Sequence, residues 1–202
     1  MIIKICGMRD ARNIREVEKL RPTMMGFICW DGSQRNVVEV PVYLPSCIRV
    51  GVFVNPPVDY VRQMVNLLHL DRIQLHGEES VSLCQDIIAA TGLPLIKAIA
   101  VRTQKDIENY LPYVGIADML LFDTKCKTVG GSGELFDWDI LQHYNGVVPF
   151  LLAGGIGPAD AQRVREFHHP RFLGIDINSR FETAPAQKNI ASLQQFINTI
   201  RA

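Results

Sequence analysis

Met119-Leu120-Leu121-Phe122-Asp123-Thr124-Lys125, running on through Cys126 to Gly133, is the stretch on which the reading of this chain turns. Residues 119–122 form a short apolar run of the kind a strand buried on both faces requires, and Lys125, Lys127, Gly130, Gly131, Ser132 and Gly133 then abandon that pattern. A carboxylate therefore stands where a buried strand meets a glycine-rich loop. By itself Asp123 has a bland explanation, since an acid at a strand end often only binds the amides of the next loop.

Outward from this point the same unit repeats. Apolar runs rich in β-branched residues cover 2–6, 23–30, 48–54, 72–76, 94–101, 118–122, 147–152 and 172–177. Segments of helical period separate most of them. Asp10 caps a helix on Ile14, Val17 and Leu20; Val58, Val61, Val65 and Leu68 trace a second behind Pro56-Pro57; Val81, Cys84 and Ile88 trace a third. Thr103 with Asp106 resembles a capping box ahead of Ile107, Leu111 and Val114, and further faces lie on Trp138, Ile140 and Leu141, on Ala161, Val164 and Phe167, and on Ile190, Leu193, Ile197 and Ile200. The second crossover differs, because residues 37–45 contain Pro41 and Pro45 and predict a helix that is short or irregular.

Eight strands joined by mostly helical crossovers predict parallel pairing, and closure at eight predicts an α/β fold with a single (β/α)8 TIM-barrel domain over residues 1–202. An open doubly wound sheet is the alternative. The βα unit is the only repeat, and no linker or low-complexity tract interrupts it.

Composition narrows the function. With 48% hydrophobic residues the chain can bury a substantial core, and 21 basic against 21 acidic residues leave no overall field for nucleic acid or an anionic membrane surface. Five cysteines without a C-x-x-C pair, mostly inside apolar runs, argue against a disulfide framework or a metal site and for a reducing cytoplasm. The N-terminal run is too short for a signal segment, and no apolar stretch approaches the roughly 18 residues of a membrane span. A soluble, unprocessed protein is expected.

In a barrel the strands' C-terminal ends line one mouth, so the residues closing each run are the candidates: Cys6, Arg35, His76, Asp123, Gly154, Gly155 and Asp176. Cys6 reads equally as a small core hydrophobe or as a base whose thiol a cation such as Lys4 activates. Arg35 can clamp a carboxylate through two parallel hydrogen bonds or lie in solvent; His76 and Asp176 line a pocket or serve structure. Gly154-Gly155-Ile156-Gly157 ahead of Pro158 offers bare amides to an anion, where barrels often bind phosphate, and Ser179 can add a hydroxyl. The spacing is not G-x-G-x-x-G, so no dinucleotide is implied.

Taken in order, the motifs Lys4-Ile5-Cys6-Gly7, Gly26-Phe27 with Ser33-x-Arg35, Val50-Gly51-Val52-Phe53-Val54-Asn55 and Ile73-Gln74-Leu75-His76-Gly77 resemble the phosphoribosylanthranilate isomerase family. So do Leu121-Phe122-Asp123-Thr124 with Gly130-Gly131-Ser132-Gly133, Leu152-Ala153-Gly154-Gly155-Ile156 and Gly174-Ile175-Asp176. The resemblance spans nearly the whole chain. It implies a cofactor-free Amadori rearrangement of N-(5′-phosphoribosyl)anthranilate in tryptophan biosynthesis, with no metal and a small phosphorylated substrate as partner. It further implies Asp123 as general acid, Cys6 as general base, Arg35 on the anthranilate carboxylate, and Gly154, Gly155 and Ser179 on the phosphate. His76 and Asp176 fall on pocket-lining positions without an assigned role, and the chain is expected as a monomer or homodimer.

Two departures flank the expected phosphate site. Arg180-Phe181 stand where the family usually has glycine and an aliphatic residue before Glu182, and Ala186 stands for the usual glycine before Lys188. Two other functions remain in view, a phosphoribosyl aminoaldose isomerase of histidine synthesis and a silent phosphosugar-binding barrel. The former typically uses paired aspartates, whereas the first strand here ends in Cys6. The glycines of residues 125–133 and their place over the mouth predict a lid that orders on substrate.

Overall fold

A computed structural model describes residues 1–124 and 138–202; the expected lid and Cys126 lie outside the described residues. Eight parallel strands close on themselves in chain order: β1 (Ile2–Cys6), β2 (Met24–Ile28), β3 (Ile48–Phe53), β4 (Arg72–Leu75), β5 (Leu95–Val101), β6 (Met119–Thr124), β7 (Phe150–Ala153) and β8 (Phe172–Ile177). The β1–β8 ladder, which pairs Lys4 with Asp176, completes the ring and removes the open-sheet alternative. Run boundaries agree to within a few residues. The largest difference is β7, which starts at Phe150 rather than 147 because Pro149 offers no amide to the ladder. At the other end β6 reaches Thr124, so Asp123 is part of the strand and inherits its inward direction.

Alternation along the strands builds two cores. Ile3, Ile5, Met25, Phe27, Ile73, Leu75, Leu120, Phe122, Phe150 and Leu152 face outward against the surrounding helices. Met24, Val50, Ile96, Ala98, Met119, Leu121, Leu151 and Ala153 fill the barrel. The α-helices are α1 (Ala11–Glu18), α2 (Val58–Leu68), α3 (Val81–Thr91), α4 (Ala161–Glu166) and α5 (Ile190–Arg201). Asp10, Ser80 and Asn189 cap α1, α3 and α5 with side-chain oxygens. The crossovers after β5 and β6 hold 3-10 helices, Gln104–Tyr113 and Trp138–His143, where the period predicted ordinary helix. In the first of them Asp106 accepts from the amide and hydroxyl of Thr103, as the capping pattern predicts.

The second crossover carries no helix. Residues 29–47 run as irregular chain, held where Arg9 donates to the carbonyls of Gln34 and Asn36 and where Glu18 accepts from Tyr43 and Ser46. Pro41 and Pro45 deny that segment the amides a helix needs. A two-stranded antiparallel ribbon, β9 (Glu182–Ala184) with β10 (Gln187–Lys188), follows β8 and has no counterpart in the sequence reading. Its turn places Ala186 at φ +64°, a left-handed conformation that disfavours a Cβ and would suit glycine, the residue the resemblance leads one to expect there.

One ion pair lies in the outer core. Lys97 and Glu79, both almost wholly buried, meet at 3.0 Å; Glu79 also accepts from the amides of Asn55 and Gly77, and Lys97 donates to the carbonyls of Gly77 and Ala98. The pair therefore ties the loops after β3 and β4 to β5. Burial alone would push the Glu79 carboxyl up, but Lys97 and the Asn55 amide outweigh it and hold it below its ordinary value. That contribution is present at neutral pH and is lost as pH falls through the lowered value. Lys97→Met is expected to cost about 3 kcal/mol in urea unfolding and to move the acid-side loss of stability to higher pH.

Candidate active site

Four strands deliver to the mouth the residue two positions beyond an inward-facing one: Lys4 precedes Cys6, Gln74 precedes His76, Leu121 precedes Asp123 and Gly174 precedes Asp176. The result is a cavity of about 210 Å³ lined by Cys6, His76, Asp123, Gly154, Gly155, Asp176 and Ser179 among others. Seven of the eight residues singled out from the sequence thus share one chamber. Arg35 does not line it but sits on the rim, where its Cδ lies against Gly7.

The floor is charged and buried. Lys4 Nζ donates to Asp176 Oδ2 at 2.9 Å, and both groups are buried. A Cβ on Gly26 would meet Cys6 Sγ at 2.7 Å and Lys4 Nζ at 3.0 Å, so bare backbone there makes room for the thiol and the ammonium together. Burial works against the Lys4 charge, yet Asp176 and Cys6 hold the ammonium above its ordinary value. Burial pushes the Cys6 thiol up, and Lys4 and Lys188 pull it back in part. Asp176 Oδ1 has no hydrogen-bond partner among the described residues.

On the opposite wall, Gln74 Nε2 stands 2.9 Å from His76 Nδ1, and His76 Nε2 stands 3.2 Å from Asp123 Oδ2. Gln74 was not singled out in the sequence, although its signal was there: a polar residue inside an apolar run, in phase with His76.

The rim departs from expectation in two places. The Arg35 fork is closed on a carboxylate of the chain itself: Nε donates to Glu182 at 2.9 Å and 3.0 Å and Nη2 at 2.6 Å. Lys188 Nζ joins the same carboxylate at 2.6 Å and reaches Asn178 Oδ1 at 2.6 Å. At the other side, Gly154 and Gly155 adopt φ +96° and +68°, where glycine is favoured, but the Gly157 amide donates to Asp160 Oδ2 at 2.7 Å. The Gly157 amide is therefore committed within its own turn, which leaves a narrower stretch than Gly154–157 for the expected anion. Arg180, exposed, lines the same end of the cavity beside Ser179.

Among the described residues no cluster of three or more His, Cys, Asp or Glu could hold a metal, and no helix is long and apolar enough to cross a membrane. Chemically the chamber offers an acid and a thiol on separate strands, a buried cation beside the thiol, and amides with an arginine at one end.

A family model described as N-(5′-phosphoribosyl)anthranilate (PRA) isomerase matches residues 3–199. The N-(5′-phosphoribosyl)anthranilate isomerase of Parabacteroides distasonis is 45% identical over 99% of this chain and 93% of its own length. That of Phocaeicola vulgatus is 44% identical over 100% and 98%. Among solved structures, phosphoribosyl anthranilate isomerase from Thermotoga maritima superposes with a TM-score of 0.82 at 28% identity, covering 100% of this chain and 99% of its own. A phosphoribosyl anthranilate isomerase in complex with reduced 1-(o-carboxyphenylamino)-1-deoxyribulose 5-phosphate gives 0.79 at 26% identity, with 100% and 99% covered.

Proposed function

Because the chain belongs to the N-(5′-phosphoribosyl)anthranilate isomerase family, we propose that its barrel mouth converts N-(5′-phosphoribosyl)anthranilate to the corresponding 1-deoxyribulose 5-phosphate by paired acid and base catalysis. Asp123 donates its proton to the furanose ring oxygen; the C1′–O bond breaks and the ring opens to a protonated Schiff base. Cys6, as thiolate, removes the proton from C2′ and leaves an enolamine, which tautomerises to the ketone. No electrons leave the substrate, so no redox partner is needed. The observation that carries this reading is the placement of Cys6 and Asp123 on one cavity, with Lys4 beside the thiol to favour its charged form.

Substrate groups fit the remaining residues. Gly154, Gly155 and Ser179 receive the phosphate, and Arg180 adds a guanidinium to that end. Asp176 lines the cavity as a candidate partner for a ribose hydroxyl, and its Oδ1 has no partner among the described residues; His76 lines the wall beside Asp123. Arg35 offers the substrate carboxylate Nη1, which takes no part in the Glu182 fork. Loss of the fluorescence of N-(5′-phosphoribosyl)anthranilate on adding the protein tests the activity, and an unchanged signal would overturn it. Arg180→Ala is expected to raise KM by about tenfold with little change in kcat, the worth of a charge-assisted contact made equally in ground and transition states.

A further inference from the structure

We propose that Gln74 is a positioning residue that fixes the tautomer of His76, so that the imidazole presents Nε2–H, rather than a lone pair, to Asp123. This rests on the reading of Asp123 as the general acid. Gln74 is wholly buried on β4, two residues below His76 on the same inward face. Its Nε2, 2.9 Å from His76 Nδ1, can donate but cannot accept. At that contact Nδ1 must supply the lone pair, and a neutral imidazole with a lone pair on Nδ1 carries its proton on Nε2. Nε2 in turn stands 3.2 Å from Asp123 Oδ2. Amide, imidazole and carboxylate thus form one chain in which every donor points toward Asp123.

The direction has a chemical consequence. When Asp123 gives its proton to the ring oxygen, negative charge appears on its carboxylate, and an Nε2–H already aimed at Oδ2 stabilises that charge only as it develops. With the opposite tautomer, Nε2 would offer a lone pair that competes with the substrate for the same proton. The nearby Asp176 carboxylate is paired with Lys4 from β1, and neither group is hydrogen-bonded to Nδ1, so among the described residues the choice of tautomer falls to Gln74. Gln74 Oε1 is buried and has no partner among the described residues.

Long-range proton–nitrogen correlation spectra of the 15N-labelled full chain report the tautomer directly, with the His76 signals identified by their loss in His76→Asn. Wild type is expected to show Nε2 protonated and Nδ1 bare. In Gln74→Glu, an isosteric carboxylate that only accepts, Nδ1 is expected to gain a proton, and kcat to fall by about 10–100-fold with KM within about threefold. Gln74→Met removes the donor without adding charge, and a smaller fall in kcat is expected. A wild-type imidazole protonated on Nδ1 would overturn the proposal, and so would a Gln74→Glu protein with a switched tautomer and unchanged kcat. Asp123→Asn separates the premises: full turnover there would defeat the acid role, while the wild-type spectrum would still decide the tautomer.

Discussion

Cys6→Ala and Asp123→Asn are each expected to lower turnover of N-(5′-phosphoribosyl)anthranilate by about 10²–10⁴-fold, the usual contribution of a positioned proton-transfer group. The two losses should differ in character. Asp123→Asn keeps the shape and one hydrogen-bond acceptor toward His76 but supplies no proton to the ring oxygen, so ring opening becomes limiting. Cys6→Ala removes about one atom from a buried position and leaves ring opening intact, so deprotonation at C2′ becomes limiting. Deuterium at C2′ should therefore slow Cys6→Ala and leave Asp123→Asn nearly unaffected. Both variants should keep the circular dichroism of the parent, and its unfolding free energy to within about 1–2 kcal/mol, since neither side chain supports the outer core. Normal turnover in either would end the assignment.

Lys4→Met should have the second largest effect, on stability and on catalysis together. The ammonium is wholly buried between Asp176 and Cys6, so its loss strands a buried carboxylate without its counter-charge, and a cost of about 3–5 kcal/mol follows. For a chain of this length that lowers the thermal midpoint by roughly 10 °C. The catalytic sign follows from the same charge. Burial already pushes the Cys6 thiol up, and Lys4 opposes it; without Lys4 the thiol rises further. The thiolate fraction at a given pH then falls, and the acid-side limb of kcat/KM moves to higher pH. Replacing Asp176 by leucine in the same protein should recover much of the stability, because both partners are then gone, but should leave the limb displaced. An unmoved limb in Lys4→Met would show that the cation does not govern Cys6.

Much of the candidate site was legible because reactive side chains stand where apolar runs end, at the strand ends that line the cavity. Cys6, His76, Asp123 and Asp176 each close an apolar run, and period two places each on the inward face once the strand is known. Arg35 was legible as a mouth residue but not as the partner of Glu182, since 147 residues separate them along the chain. The 3-10 helices at Gln104–Tyr113 and Trp138–His143 were read as ordinary helix because hydrophobic period alone does not separate the two, and Pro112 near the end of the first limits its hydrogen bonding. The ribbon β9–β10 escaped because strands of three and two residues are too short to show alternation.

What the sequence determined by itself was the number and order of βα units, the residue types at their ends and hence the fold, since burial on both faces of a strand is written in consecutive positions. What only the tertiary structure decided was partnership. Lys4 with Asp176, Lys97 with Glu79, Arg35 with Glu182, and Gln74 through His76 to Asp123 are contacts set by the closure and register of the ring and by the loops it carries. A side chain's protonation depends on the charges and donors within a few ångströms, and those neighbours come from strands and loops that only folding brings together.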